Sequence, residues 1–307
     1  MSHALLEVPN PQAPIRARRP EPVHCAICGP ARYEPFGVSN GIRIVQCKGC
    51  GLYHVEERAS ESAVADFYRD DYISDQHRAE VQMISHRKSS LRRESRRLRN
   101  MFPDGAQLLD IGAASGTFLR QFEGVPNWQV EGVEPSDYAV RFARDRFGLT
   151  IHHGFLHEQR FNDASFDVVT SLDTFMLHPN PNEDLDEIHR ILRPGGLFAA
   201  EIPGLTFRML KNSGVVCRVL YGVPVSLNAG VHLYYYSRET LSRLAGMHGF
   251  ELVASWAEQM PESGNTVSRF SKWSYYAATN AAYRLTGGRF HLAPKEFLIF
   301  RRVEGLS

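Results

Sequence analysis

The sequence predicts an α/β fold, a mostly parallel sheet with helices on both faces, preceded by a small cysteine-rich module. Three observations point there. From Gln107 onward, short apolar runs alternate with amphipathic segments, as strands do when crossover helices join them. One apolar run ends in Asp110 and passes into the small-residue loop Gly112-Ala113-Ala114-Ser115-Gly116. Upstream stand two Cys-x2-Cys pairs, Cys25/Cys28 and Cys47/Cys50, eighteen residues apart.

Residues 1–22 hold five prolines (Pro9, Pro11, Pro14, Pro20 and Pro22) and little apolar periodicity, so a mobile tail is expected. The cysteine module occupies 23–58. Over 59–103 a helical linker is predicted: Ile84, Leu91 and Leu98 repeat every seven residues, and Pro103 ends the pattern. Residues 104–307 form the main domain. Its predicted strands are 107–111, 129–133, 150–152, 166–170, 197–202, 250–256 and 296–302. Helices are predicted at 136–147, with Ser136 as cap and Gly148 beyond its end, at 181–192, and at 237–248, ended by Gly249. A further helix is expected to begin near Gly116. Two stretches, about 203–236 and 257–294, break this rhythm; they are rich in Tyr, Phe, Trp, Gly and Pro and are expected to wall or cover a ligand site.

The 307 residues are 43% hydrophobic and 22% charged, which excludes a disordered polymer and a membrane protein. No apolar run nears the ~18 residues a bilayer span needs, and the start lacks an apolar signal core, so a cytoplasmic chain without membrane contact is expected. With 35 basic and 34 acidic residues the formal charge is +1, against a whole-protein footprint for nucleic acid. The oligomeric state is left open.

Each Cys-x2-Cys places two thiolates on one tight turn, and two such knuckles supply four soft ligands in a tetrahedron, which suits Zn²⁺. Without a secretion signal, disulfides are disfavoured. Cys25, Cys28, Cys47 and Cys50 are thus expected to form a zinc ribbon whose closed coordination is structural, with folding coupled to the metal. Cys217 stands alone and reads as a small core residue.

Small side chains between Asp110 and Gly116 let a ligand approach the backbone, with loop amides available to it. Glu134 ends the next strand, 24 residues after Asp110, where a carboxylate can accept both ribose hydroxyls of an adenosine-containing cofactor. The spacing departs from the dinucleotide fingerprint, which makes nicotinamide cofactors the less natural ligand.

These residues resemble the class I S-adenosylmethionine-dependent methyltransferases, a Rossmann-like fold. Phe166-Asp167-Val168-Val169-Thr170-Ser171-Leu172-Asp173 is similar to that family's fourth strand, and Leu192-Arg193-Pro194-Gly195-Gly196-Leu197-Phe198 to the turn into its fifth. His232 to Phe250 resembles its late His-x4-Ser-x3-Leu…Gly-Phe segment. Paired cysteine knuckles ahead of the fold look like a subgroup that includes sugar C-methyltransferases. The resemblance implies S-adenosylmethionine as cofactor. It places Gly112, Ala114 and Gly116 on its methionine and ribose side, Asp110 as organiser of the loop and the methionine amine, and Glu134, followed by Pro135, at the ribose. It puts Phe155 and Leu156 near the adenine and Ser171 to Phe175 before the sulfonium. Where relatives often read Glu-His-Val-Pro-Asp-Pro, this chain has Met176-Leu177-His178-Pro179-Asn180-Pro181, and the role of the Glu-His pair does not carry over.

Methyl transfer to a hydroxyl or an acidic carbon is helped by a general base, usually His near neutral pH. Candidates are His178 and His232, with Asp173 contacting the sulfonium or orienting a base. Of Tyr234-Tyr235-Tyr236, at least one ring is expected in the core, while another, or Trp273, Tyr275 and Tyr276, covers the acceptor. Arg87, Lys88, Arg92, Arg93, Arg96, Arg97 and Arg99 face only Glu94 in their stretch. They read as a solvated face, the alternative being a phosphate-binding helix. The leading expectation is a methyltransferase for a small polar metabolite, such as a nucleotide-linked sugar, at oxygen or carbon. The alternatives are an RNA methyltransferase gripping RNA with ribbon and basic helix, and a non-catalytic zinc-ribbon adaptor.

Overall fold

The computed structural model describes residues 21–39, 41–58, 76–211, 232–258, 266–286 and 292–304. The expectations for the tail before residue 21, for 59–75, for Cys217 with most of 203–236, and for parts of 257–294 lie outside the described residues.

The cysteine module is built of short strands: β1 (Glu21–Pro22), β2 (Tyr33–Ser39), β3 (Ile42–Cys47), β4 (Tyr53–Val55) and β5 (Glu57–Arg58). Helix α1 (Gln76–Met101) leads out of it. The main domain then alternates: β6 (Ala106–Ile111), β7 (Trp128–Glu134), α2 (Asp137–Phe147), β8 (Thr150–His153), β9 (Phe166–Leu172), α3 (Pro181–Ile191), β10 (Leu192–Pro203) and α4 (Leu205–Lys211). After β11 (Tyr234–Tyr235) come α5 (Arg238–Met247), β12 (Phe250–Glu258), α6 (Thr266–Leu285) and β13 (Lys295–Arg302). No helix among the described residues is long and apolar enough to cross a membrane.

The main sheet has seven strands in the order β12-β13-β10-β9-β6-β7-β8. Neighbours pair in parallel from β10 to β8, and β13 alone runs against both of its neighbours. The strands are covered on both faces, so consecutive residues are buried in opposite directions. Leu109, Val169 and Phe198 join a cluster with Leu185 and Ile188 of α3 and Leu241 and Leu244 of α5. Leu108, Val168 and Ala199 join the opposite cluster with Leu91 and Leu98 of α1 and Val140 and Ala143 of α2.

Local signals set the helix ends. Ser136 Oγ accepts the Ala139 N–H at 3.3 Å, and α2 closes on Gly148. One predicted helix is absent: after Gly116 the chain makes only a 3-10 turn, Leu119–Phe122. Phe118, Leu119 and Phe122 are all buried there, and Gly124 and Pro126 come too soon for a helix to propagate. The stretch 257–294 also contains regular structure, since α6 begins at Thr266.

Two expectations about excursions and charge are corrected. The described end of the 203–236 stretch is not among the residues lining the main cavity: β11 completes the order β11-β4-β3-β2 in the cysteine module, with Tyr234 opposite His54 and Tyr235 opposite Tyr53. Val23, Cys25, Leu52 and Val55 consequently share one apolar cluster with Phe175, Leu185 and Tyr236. The basic side of α1 is not wholly solvated either. Arg87 donates to the buried Glu201 at 2.7 Å, and Arg93 and Arg97 both reach Glu258, which is 0% exposed. Arg92 and Arg96 remain exposed.

Candidate active site

The chain leaves β6 for β7 on one side of the sheet and returns to β9 on the other. In an open α/β sheet such a reversal opens a crevice at the carboxyl ends of the strands. Here that crevice encloses about 920 Å³, part of it open to solvent. Gly112 and Ala114 after β6, Glu134 and Pro135 after β7, Phe155 and Leu156 after β8, and His178 and Asn180 after β9 all line it.

Gly112 has φ +72°, and a Cβ there would lie 2.6 Å from Thr174 Cγ2. Only glycine lets the loop pass so close to the wall. Thr174 closes the far side by donating its hydroxyl to the Ile111 carbonyl at 3.0 Å. Glu134 is 5% exposed. Its Oε2 accepts the Ala114 N–H and its Oε1 the Ser136 N–H, each at 2.9 Å. The loop and the start of α2 thereby fix the carboxylate at the rim, in a geometry that accepts several donors at once.

On the opposite wall, His178 Nδ1 donates to Asp184 Oδ2 at 2.8 Å. A carboxylate only accepts, so the ring carries a proton on Nδ1, and in the neutral imidazole this leaves the lone pair on Nε2. Nε2 has no hydrogen-bond partner among the described residues and is not among the sealed polar atoms. Thr174, from the expected 171–175 stretch, lines the cavity, and Asp184, Asn180 and Glu183 line it too as additions to the residues the sequence suggests. A signal for Asp184 exists in the chain, because it sits in the acidic first turn of α3, just after Pro181 at the helix start.

Several expected residues lie elsewhere. Asp110 is buried beneath the loop, and its Oδ1 accepts the Thr170 hydroxyl at 2.6 Å. Burial pushes its carboxyl up to about 7. Gly116 turns away from the cavity: at φ +75°, a Cβ would fall 2.3 Å from Leu149 Cδ1, so its smallness serves packing. Ser171 is fully buried and pairs with Thr174 at 2.7 Å. Asp173, expected to contact the sulfonium or orient a base, is not among the cavity-lining residues and meets cations instead: Lys295 reaches it at 2.6 Å and Arg87 at 3.8 Å. Although burial opposes ionisation, Lys295 and Arg87 outweigh it and hold that carboxyl below its usual range. His232 accepts from Arg208 at 2.9 Å. Burial, with the Arg208 charge adding to it, lowers His232 to about 3, which keeps it neutral and poorly basic.

All three tyrosines of 234–236 are buried. Together with Arg208 and Met176 they line a separate, much smaller cavity. Trp273 is 61% exposed, Tyr275 donates to the Leu292 carbonyl at 2.6 Å, and Tyr276 donates to that of Ala257 at 3.4 Å.

In the cysteine module the four Sγ atoms lie within 4.8 Å of one another, those of Cys25 and Cys50 at 3.4 Å. A tetrahedron of Zn–S bonds of ~2.3 Å has edges of roughly 3.8 Å, so the cluster fits a tetrahedral thiophilic ion, whereas a disulfide needs ~2.05 Å. The Cys28 N–H points at Cys25 Sγ at 3.4 Å, a donor that stabilises a thiolate. Burial works against ionisation of Cys47, but the Cys50 and Gly49 amides outweigh it and lower that thiol. Among the described residues the group that could hold the ion consists of these four cysteines, and His54 is not part of it.

A reversed-edge α/β sheet with one carboxylate-rimmed crevice defines the broad class. Residues 83–255 match the family described as a methyltransferase domain, and the chain belongs to that family. It is 28% identical over 201 residues to an arsenite methyltransferase of Aquipseudomonas alcaligenes, covering 60% of this chain and 56% of that one. It is 31% identical over 98 residues to the O-methyltransferase cnsE of Penicillium expansum, covering 30% and 36%. The chain thus spans about half or less of the length of these curated relatives. A solved S-adenosylmethionine-dependent methyltransferase from Mesorhizobium loti superposes with a TM-score of 0.45 and 16% identity, over 64% of this chain and 91% of that one.

Proposed function

We propose that this chain is an S-adenosylmethionine-dependent methyltransferase acting on a small polar acceptor at oxygen or carbon. The observation that carries the reading is a single cavity with Glu134 and the Gly112–Ala114 loop on one wall and the His178–Asp184 pair on the other. When bound, the cofactor supplies an electrophilic methyl group on a sulfonium, whose sulfur keeps the bonding electron pair after transfer. Glu134 accepts the ribose hydroxyls. Ala114 and Gly112 give the backbone room for the methionine arm, and Phe155 and Leu156 flank the base. His178 Nε2 takes the proton that the acceptor oxygen or carbon gives up, and Asp184 holds the ring in the tautomer that can take it. Enclosure between these walls aligns the acceptor with the methyl group and excludes water.

We read the four cysteines as a structural Zn²⁺ site, since their chemistry and spacing suit the ion and leave no ligand position for a reaction. The small acceptor is favoured over nucleic acid because Arg87, Arg93 and Arg97 are spent on buried carboxylates.

Calorimetry of zinc-loaded protein with S-adenosylmethionine tests the cofactor reading: uptake is expected, and Glu134→Ala should weaken it strongly. No uptake by the wild type would refute the cofactor reading, and equal uptake by both proteins would remove Glu134 from it. Transfer of a labelled methyl group to the small-molecule fraction of a cell extract separates the enzyme from a cofactor-binding adaptor, which would consume nothing.

A further inference from the structure

The cysteine module does more than precede the main domain, because a backbone bridge runs from its metal turn to the loop that carries His178. The Cys47 N–H donates to the Leu52 carbonyl at 2.9 Å, tying β4 to the cysteine turn. From β4, the Val55 N–H donates to the Leu233 carbonyl at 2.9 Å, and the Leu233 N–H donates to the Met176 carbonyl at 3.0 Å. Met176 lies in the 3-10 turn Phe175–Leu177 that ends at His178. A second tie grips the far end of the same loop: Arg58 Nη2 donates to Asn180 Oδ1 at 3.2 Å, and Asn180 lines the cavity. Ring contacts fill the space between, Tyr236 to Phe175 at 5.7 Å and Phe175 to His178 at 5.1 Å.

We propose that the cysteine module is a positioning element of the methyl-transfer site, holding the His178–Asn180 wall through Leu233 and Arg58. This rests on the reading of that cavity as the reaction site. The physical reason is that one backbone link and one side-chain link clamp both ends of a short loop, which removes the freedom that would otherwise blur the position of the Nε2 lone pair. The clamp is only as firm as β4, and so short a sheet depends on its metal for rigidity. Linkage makes the coupling reciprocal: whatever orders the cavity wall also steadies the cysteine turn.

The test uses the full zinc-loaded chain and three readouts: amide hydrogen exchange, zinc release to a chelating indicator, and steady-state kinetics. Arg58→Ala, which leaves all four cysteines intact, is expected to raise exchange at the Leu233 and His178 amides roughly tenfold. It should lower kcat about fivefold while cofactor affinity moves less than about twofold, and Arg58→Lys should recover part of the loss. Stripping zinc should raise exchange at the same amides, and S-adenosylhomocysteine should slow zinc release from the wild type. If zinc removal unfolds the chain, Arg58→Ala with zinc retained decides alone. Unchanged exchange at Leu233 and His178 in Arg58→Ala overturns the proposal. Failure of the cofactor to bind sinks the reading of the cavity instead, and leaves the exchange result to judge the clamp.

Discussion

At the ends of β6 and β7, Glu134 meets backbone amides and an open cavity. One strand over, at the ends of β9 and β10, Asp173 and Glu201 meet Lys295 and Arg87. Both halves of this edge are rich in buried acids. They differ in what answers the charge. Amides are neutral and slender, so Glu134 keeps its charge facing space that a ligand can fill. Lys295 and Arg87 cancel the opposite pair and occupy its space; burial opposes ionisation of Glu201, but Lys295 and Arg87 outweigh it and hold its carboxyl low. Glu94 completes that cluster from α1: burial first, then the Glu201 charge, pushes its carboxyl well up. A buried acid therefore marks a site where its partners leave room, and marks scaffold where they do not.

The comparison breaks most visibly at His178. His178→Ala should cut turnover by roughly 10²–10⁴-fold, with cofactor affinity in calorimetry little altered; full turnover would move the chemistry away from the open half. On the closed half, Glu201→Ala leaves Lys295 and Arg87 to share Asp173 alone and should destabilise the fold by about 2–3 kcal/mol in denaturant unfolding. A loss below ~1 kcal/mol would mean that the network is solvent-screened.

Further effects sharpen the contrast. Glu134→Gln keeps the shape and removes the charge, and should weaken cofactor binding about tenfold, ~1.4 kcal/mol. Asp110 sits between the two halves. Its carboxyl is raised from 3.8 to about 7, so the folded state holds the proton longer than the unfolded chain does. That contribution to stability is complete below pH 3.8 and lost as the pH climbs through about 7. Asp110→Asn cannot ionise, so its stability should gain on the wild type between pH 5 and pH 8 by ~2.7 kcal/mol, about two pKa units, which raises its relative thermal midpoint by roughly 5–10 °C. An unchanged gap would place the titration elsewhere. Least affected should be His232→Ala, with kcat within about twofold of wild type; a larger drop would return His232 to the reaction.

Much of this architecture is legible in the chain. The strand Ala106–Ile111 is readable because it is a short apolar run, and α2 because Ser136 and Gly148 punctuate it locally. The Gly112–Ala114 loop and Glu134 are readable because chain order alone brings successive strand ends together in a parallel sheet. The helix expected after Gly116 is missing because a small-residue turn signals a bend and carries no information about the length of the next element. The arginines of α1 mislead because their partners, Glu201 and Glu258, lie more than a hundred residues downstream. Nothing in Tyr234-Tyr235-Tyr236 indicates that it completes a sheet made from residues near Tyr53.

The sequence by itself determined the alternating strands of the main domain, the four-thiol spacing and the glycine loop beneath a strand-end carboxylate, because periodicity, turn chemistry and ligand spacing are properties of neighbours along a chain. Which histidine faces the cavity, which aspartate is neutralised and what braces the loop were decided only by tertiary structure. Charge and burial act through space, and the groups that silence Asp173 and His232 reach them from other elements of the fold.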